Sequence, residues 1–216
     1  NAGIGGDIVM AAGNVIPETG GSVYLHAGVG TMTSSGQIDL RTLNAGIAGS
    51  SGAISLTTGT SSDGSSGSIY LETGTATGGT AGTVQIKVGG SASGAGGDAT
   101  VKAGHSEGAT GGSLTIQSGY GLETTSGAVV LSTANAGSEG VSGAISITSG
   151  TTSSGSSGEI IIETGNANGG SGGNISLVVG SGDATNKGGQ VGLIAGDSSA
   201  PGGAGGAVVI QAGAAG

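Results

Sequence analysis

The sequence predicts an all-β chain: a β-solenoid (β-helix or β-roll) of about fourteen 15-residue strand-plus-arm units, with no helix. Three observations predict it. The form G-x-Φ-x-Φ-x-small-G, with Φ aliphatic, recurs from Gly6 and Gly21 through Gly52 and Gly67 to Gly189 and Gly206. Inside each unit, side chains of one character alternate with side chains of free character. The arms between units keep nearly constant length, so the step is 15 residues, sometimes 16, and 17 at the last.

The strand comes first. In Gly52–Gly59, Ile54, Leu56 and Thr58 point one way while Ala53, Ser55 and Thr57 point the other. The first set recurs as Val23/Leu25/Ala27, Ile38/Leu40/Thr42, Ile69/Leu71/Thr73, Ile145/Ile147/Ser149 and Ile160/Ile162/Thr164. β-Branched residues dominate it, which suits a strand, and glycines bracket it. Glycine at this density, costing about 1 kcal/mol per residue in a helix, argues against helix. The opposite set is unruled: Tyr24 and His26, Asp39 and Arg41, Tyr70 and Glu72, Ile161 and Glu163. One constrained face and one free face predict a strand buried on one side.

The arm comes next. With one unit per turn, an arm such as Thr60 to Ser66 would run back along the strand, with Gly59 and Gly67 as corners. With two units per turn, two aliphatic faces would pack together and the arms would be loops. A three-unit turn would have sides too long for Ile and Leu to fill. An antiparallel meander or stacked-hairpin sheet is the reading outside solenoids.

A longer period overlies the unit. SGAISLTTGTSSDGSSGSIYLETG from Ser51 matches SGAISITSGTTSSGSSGEIIIETG from Ser142, an offset of 91. Even the 16-residue steps before Gly52 and Gly143 correspond. The chain is therefore read as a six-unit block at 6–96, a second at 97–188 and the start of a third at 189–216, in one continuous solenoid. Stacked repeats bury together a face that none buries alone.

Composition narrows the function classes. The chain of 216 residues has 54 Gly, no Phe, Trp or Cys, and 8% charged residues with a formal net charge of -9. Such Gly and Ser enrichment ordinarily marks a linker, but a linker has no reason to hold aliphatics at fixed spacing. Four basic residues, Arg41, Lys87, Lys102 and Lys187, make no phosphate-binding patch, so no nucleic-acid partner is expected. No apolar run reaches the roughly 18 residues of a membrane span. The chain opens inside a repeat without Met and stops soon after another, as expected of a segment of a longer protein.

No catalytic constellation assembles, and no enzyme activity is expected. His26 and His105 occupy different settings and neither recurs at the block offset. The serines lack a nucleophile-elbow context. Carboxylates are scattered: Asp63 gives way to Ser154 one block later and Glu18 to Ala109, and although Glu72 and Glu163 do correspond across blocks, a solvated outer face accounts for them. Ca²⁺ needs six to eight oxygens together, so no metal or other cofactor is expected. Gly78-Gly79 and Gly169-Gly170 lack the Gly-Lys-Ser/Thr of a phosphate loop and read as turns. The varied outward residues offer no flat Thr array for ice. Asn174-Ile175-Ser176 fits the N-glycosylation pattern, making Asn174 a candidate acceptor. Tyr24 and Tyr70 are candidate lateral contacts.

The units G-x-I-x-L-x-T-G joined by T-x-S-x-G-x-S, in blocks near 91, resemble the large Gly/Ser-rich repeat proteins of diatoms and related stramenopile algae. The resemblance covers nearly all of the chain and lies at the level of the block. It implies a secreted or surface-exposed fibrous protein, and it carries no enzyme activity and no site residues. The expectation is a non-catalytic structural segment of an extracellular fibre: a flagellar hair, a cell-wall strand or an adhesive strand. The alternative is the shaft of an adhesin or a viral or phage fibre with its binding tip elsewhere. The expected partners are copies of itself, end to end or laterally, or further repeats of the same chain, with glycans as a further candidate.

Overall fold

Each repeat unit runs straight through its aliphatic positions and bends only in its arm. The computed structural model describes residues 6–16, 18–183 and 187–214. It forms two units of contact, Asn1–Gly112 and Ser113–Gly216, here called the first and second halves. In the first half the bends fall at 16 and 18 and at 31–33, 47–49, 62–64, 77–79, 92–94 and 107–109. In the second they fall at 122–124, 138–139, 153–155, 168–170 and 200–202. Between them lie straight runs, such as 50–61 and 65–76. The spacing of the bends is the repeat period made visible in the backbone.

Glycine chemistry sets the bends. No described residue other than glycine has a positive φ, while Gly64 and Gly155 stand at +152° and +154°. These two are 91 residues apart and end equivalent bends, which L side chains would strain. Hydroxyls brace other arms. Ser91 Oγ accepts from the Gly94 amide and Ser106 Oγ from the Ala109 amide, both at 2.9 Å.

The arms close on themselves. The last inward residue of each unit, or the glycine after it, lies against the glycine that opens the next unit. A Cβ placed on Gly67 would sit 3.5 Å from Thr58 Cγ2, one on Gly82 3.4 Å from Thr73 Cβ, and one on Gly173 3.3 Å from Thr164 Cγ2. The same apposition joins Gly21 to Ala12, Gly36 to Ala27, Gly127 to Ser118, Gly143 to Thr133 and Gly206 to Ala195. A loop of this length with its ends in contact is an Ω-type excursion. The small residue and the opening glycine of the motif are the two sides of that contact.

This geometry overturns the expected β-solenoid. The described residues contain no strand and no helix. A solenoid needs runs one or two units apart to lie side by side at about 4.8 Å, bonded along their length. Here few residues distant in sequence come near one another. Adjacent runs meet at the base of an arm and part again. Thr58, beside Gly59, lies against Gly67, so these glycines are not opposite corners of a turn. The arm is a closed loop, and it does not run back along the strand.

The expected buried face is overturned as well. No described residue is buried. Ile162, assigned inward, is 67% exposed and its outward neighbour Ile161 is 64% exposed. The pleat alternates side chains as the sequence implied, yet nothing covers either side. The chain exposes 21261 Å², against about 8,500 Å² for a compact protein of its 19.5 kDa mass.

Candidate functional site

The built feature of each half is the arm base, and its chemistry depends on one side chain. Where the last inward residue is Ala or Ser, the opening glycine approaches closely enough to donate a backbone hydrogen bond across the base. Gly21 donates to the Gly13 carbonyl, Gly36 to Gly28, Gly112 to Gly104 and Gly127 to Gly119, each at 2.9 Å, and Gly206 to Gly196 at 2.8 Å. The residues before those acceptors are Ala12, Ala27, Ala103, Ser118 and Ala195.

Where that residue is β-branched, its methyl groups occupy the gap and the backbone bond does not form. A Cβ placed on the opening glycine would lie 3.4–3.5 Å from Cγ2 of Thr42, Thr58 and Thr133. Thr73 and Thr164 add a hydroxyl donation to the Gly82 and Gly173 carbonyls, at 3.4 Å and 3.3 Å. Val88 and Val179 fill the gap so fully that a Cβ on Gly97 or Gly189 would lie 2.9 Å and 2.7 Å from their Cγ1 atoms. Ser149 departs from the pattern: it is small, it lies 3.9 Å from a Cβ on Gly158, and no base bond forms there.

These base types recur at the block offset of 91. The bonds at Gly21 and Gly36 reappear at Gly112 and Gly127, and the Thr73 donation reappears at Thr164. Gly30 and Gly121 form another such pair. A Cβ on Gly30 would meet the Ser34 carbonyl oxygen, and one on Gly121 would lie 2.7 Å from that of Thr125. Sequence reasoning passed over this position. The signal was present in the order of last inward residues, small, small, Thr, Thr, Thr, Val in the first block and Ala, Ser, Thr, Ser, Thr, Val in the second.

The residues singled out from sequence stand on open surface. Tyr24 and Tyr70 are 77% and 85% exposed. The Tyr24 ring stacks on His26, centroids 6.0 Å apart and planes 15° from parallel. That is the alternation expected of two outward residues on one straight run. Asp39 and Arg41 are paired the same way, Oδ2 to Nε at 3.3 Å on the surface. Asn174 is exposed, directly after the Gly173 that accepts from Thr164. His105 is exposed at the start of an arm, apart from any acidic cluster. Among the described residues, no group of three or more His, Asp or Glu gathers as a metal site, and no cavity forms.

No family model, no curated protein and no solved structure matches this chain.

Proposed function

We propose that the chain is a non-catalytic structural repeat segment of an extracellular fibre or filament, of the kind found in a flagellar hair, a cell wall or an adhesive strand. One observation carries the reading: every unit presents its aliphatic residues uncovered, in the same order, along the whole of the described chain. Scattered exposed apolar residues are ordinary, but a repeating set of them is a contact surface. A surface that repeats with the chain suits a partner that repeats with it, which is the requirement of a polymer.

Electron microscopy of native material tests this directly. Continuous filaments containing the chain support the reading. Discrete particles, or a filament that carries the chain only as a stalk for a non-repetitive tip, overturn it in favour of a display shaft.

The proposed location has its own test. A chain that passes through a glycosylating secretory route should carry a glycan on Asn174, whose side chain is accessible. Intact-mass measurement before and after enzymatic deglycosylation should show one N-glycan, lost in Ser176→Ala. An unmodified Asn174 in material from the native source removes this support.

A further inference from the structure

We propose that Asn168 is a self-modifying position: its side-chain amide closes on the Gly169 backbone nitrogen, releases ammonia and leaves an aspartyl or isoaspartyl residue in its place. The proposal goes beyond the fibre reading and does not depend on it.

The chemistry selects this residue. Ring closure brings the backbone nitrogen of the following residue onto Cγ of the asparagine, and a side chain on that following residue crowds the approach. Glycine has none, and its backbone turns most freely. The chain has eight asparagines, and only Asn168 precedes a glycine. Asn166, exposed in the same arm, precedes Ala167. Asn44 and Asn135, equivalent at the block offset, both precede alanine.

The fold leaves it free to react. The arm is held at its base, where Thr164 donates to the Gly173 carbonyl at 3.3 Å. Asn168 lies between those ends, opens the bend at 168–170 and is exposed. Gly169 stands at φ +86°, in the left-handed region, with nothing within 4 Å of the place a Cβ would take. Neither the Asn168 side chain nor the Gly169 amide makes a hydrogen bond among the described residues. Both reacting groups are open to water and to each other, and no packing has to break for the ring to close.

The step needs only water. The Gly169 nitrogen bonds to Asn168 Cγ as the Cγ–Nδ2 bond breaks, and the Gly169 amide proton leaves through solvent with Nδ2 as ammonia. The cyclic imide that results takes up water, with hydroxyl going to one carbonyl carbon and hydrogen to the ring nitrogen. Opening at Cγ leaves an aspartyl residue. Opening at the main-chain carbonyl leaves an isoaspartyl residue, whose path through the side chain adds a methylene to an arm of otherwise fixed length. Nothing is oxidised or reduced. Either product adds a negative charge to a chain whose formal net charge is -9.

The first block lacks this reaction. Its equivalent arm closes in the same way, by Thr73 on Gly82 at 3.4 Å, and bends at 77–79. Thr77 stands where Asn168 does, before Gly78-Gly79, and has no amide to close. Two matching arms therefore age differently.

Timed mass spectrometry of the whole chain, with fragments that localise the change, tests this. On incubation at mildly alkaline pH, Asn168 should lose its amide several-fold faster than Asn166 or Asn135, with the isoaspartyl form among the products. Asn168→Thr, which installs the residue of the matching arm, should abolish the loss, and Gly169→Ala should slow it several-fold. A synthetic peptide of residues 164–173 gives the unrestrained rate, and the whole chain should match it. Loss at Asn168 no faster than at Asn166, or far slower in the chain than in the peptide, overturns the proposal. The comparison of Asn168 with Asn166 needs no substitution, so it holds even if a variant alters the arm.

Discussion

The arm that ends at Gly36 and the arm that ends at Gly82 are equal in length and closed at the same place, yet they are held differently. In the first, Ala27 leaves room for the Gly36 amide to reach the Gly28 carbonyl at 2.9 Å. In the second, Thr73 stands in that room, packs its methyl against Gly82 and gives its hydroxyl to the Gly82 carbonyl at 3.4 Å. The first bond is short and between backbone groups. The second is long and exposed to competition from water. One methyl group and one hydroxyl at a single position therefore decide whether an arm is tied by its backbone or by a side chain. Both solutions recur at the block offset, beside Thr and Val bases that make neither bond.

The largest break in this comparison comes from a glycine inside the backbone-bonded arm and its equivalent one block away. Gly121→Ala would push a Cβ to 2.7 Å from the Thr125 carbonyl oxygen, a backbone atom that yields only if the arm opens. The expected cost is about 2 kcal/mol of strain. It should appear as loss of amide protection at the adjacent base, where Gly127 donates to Gly119, and Gly30→Ala should repeat it in the first block. Unchanged exchange in both variants would show that the close approach is not required.

Exchanging the two closures gives the next effect. Ala27→Thr should remove the Gly36 to Gly28 bond and speed exchange of the Gly36 amide about fivefold, for a net bond worth about 1 kcal/mol. Thr58→Ala should act in reverse and slow exchange at Gly67, which has no such bond now. If neither amide responds, side-chain size does not govern the base. A smaller loss, about 0.5 kcal/mol, is expected for Thr164→Val, which keeps the packing and deletes the hydroxyl donation to Gly173. Carbonyl chemical shifts at Gly173 and Gly82 should separate that variant from Thr73→Val. The surface pair of Asp39 and Arg41 lies outside the bases. Asp39→Asn should change stability by no more than about 0.5 kcal/mol, and a larger change would show that the pair is not a solvated surface pair.

Much of the local organisation was legible from residues. The period appears in the bends, and the alternation appears in Tyr24 stacking on His26 and Asp39 pairing with Arg41, each two residues along one run. Constant arm length pointed to an arm with a structural duty, and the arm has one, although it closes locally. The nature of the closure was less visible. Gly67 and Thr58 are nine residues apart, and nothing in the arm TSSDGSS states whether it runs back along the strand or loops to its own base. The solenoid inference failed at that point. It assumed that Ile54 and Ile69, because they are alike, must stack within one chain. Likeness only requires that they have equivalent surroundings.

By itself the sequence determined what repeats: the 15-residue unit, the 91-residue block, the glycines at each arm base and the small or β-branched residue facing them. Those are local properties, carried by backbone freedom at Gly64 and Gly155 and by side-chain volume at positions such as Ala27 and Thr73. Only the tertiary structure decided that the arms close on themselves and that the aliphatic runs find no cover within either half. The physical reason is that ladder pairing joins backbone groups distant in sequence, whose bonding carries no side-chain code. Its outcome depends on where each arm releases the chain, and here each arm releases it at the place where it began.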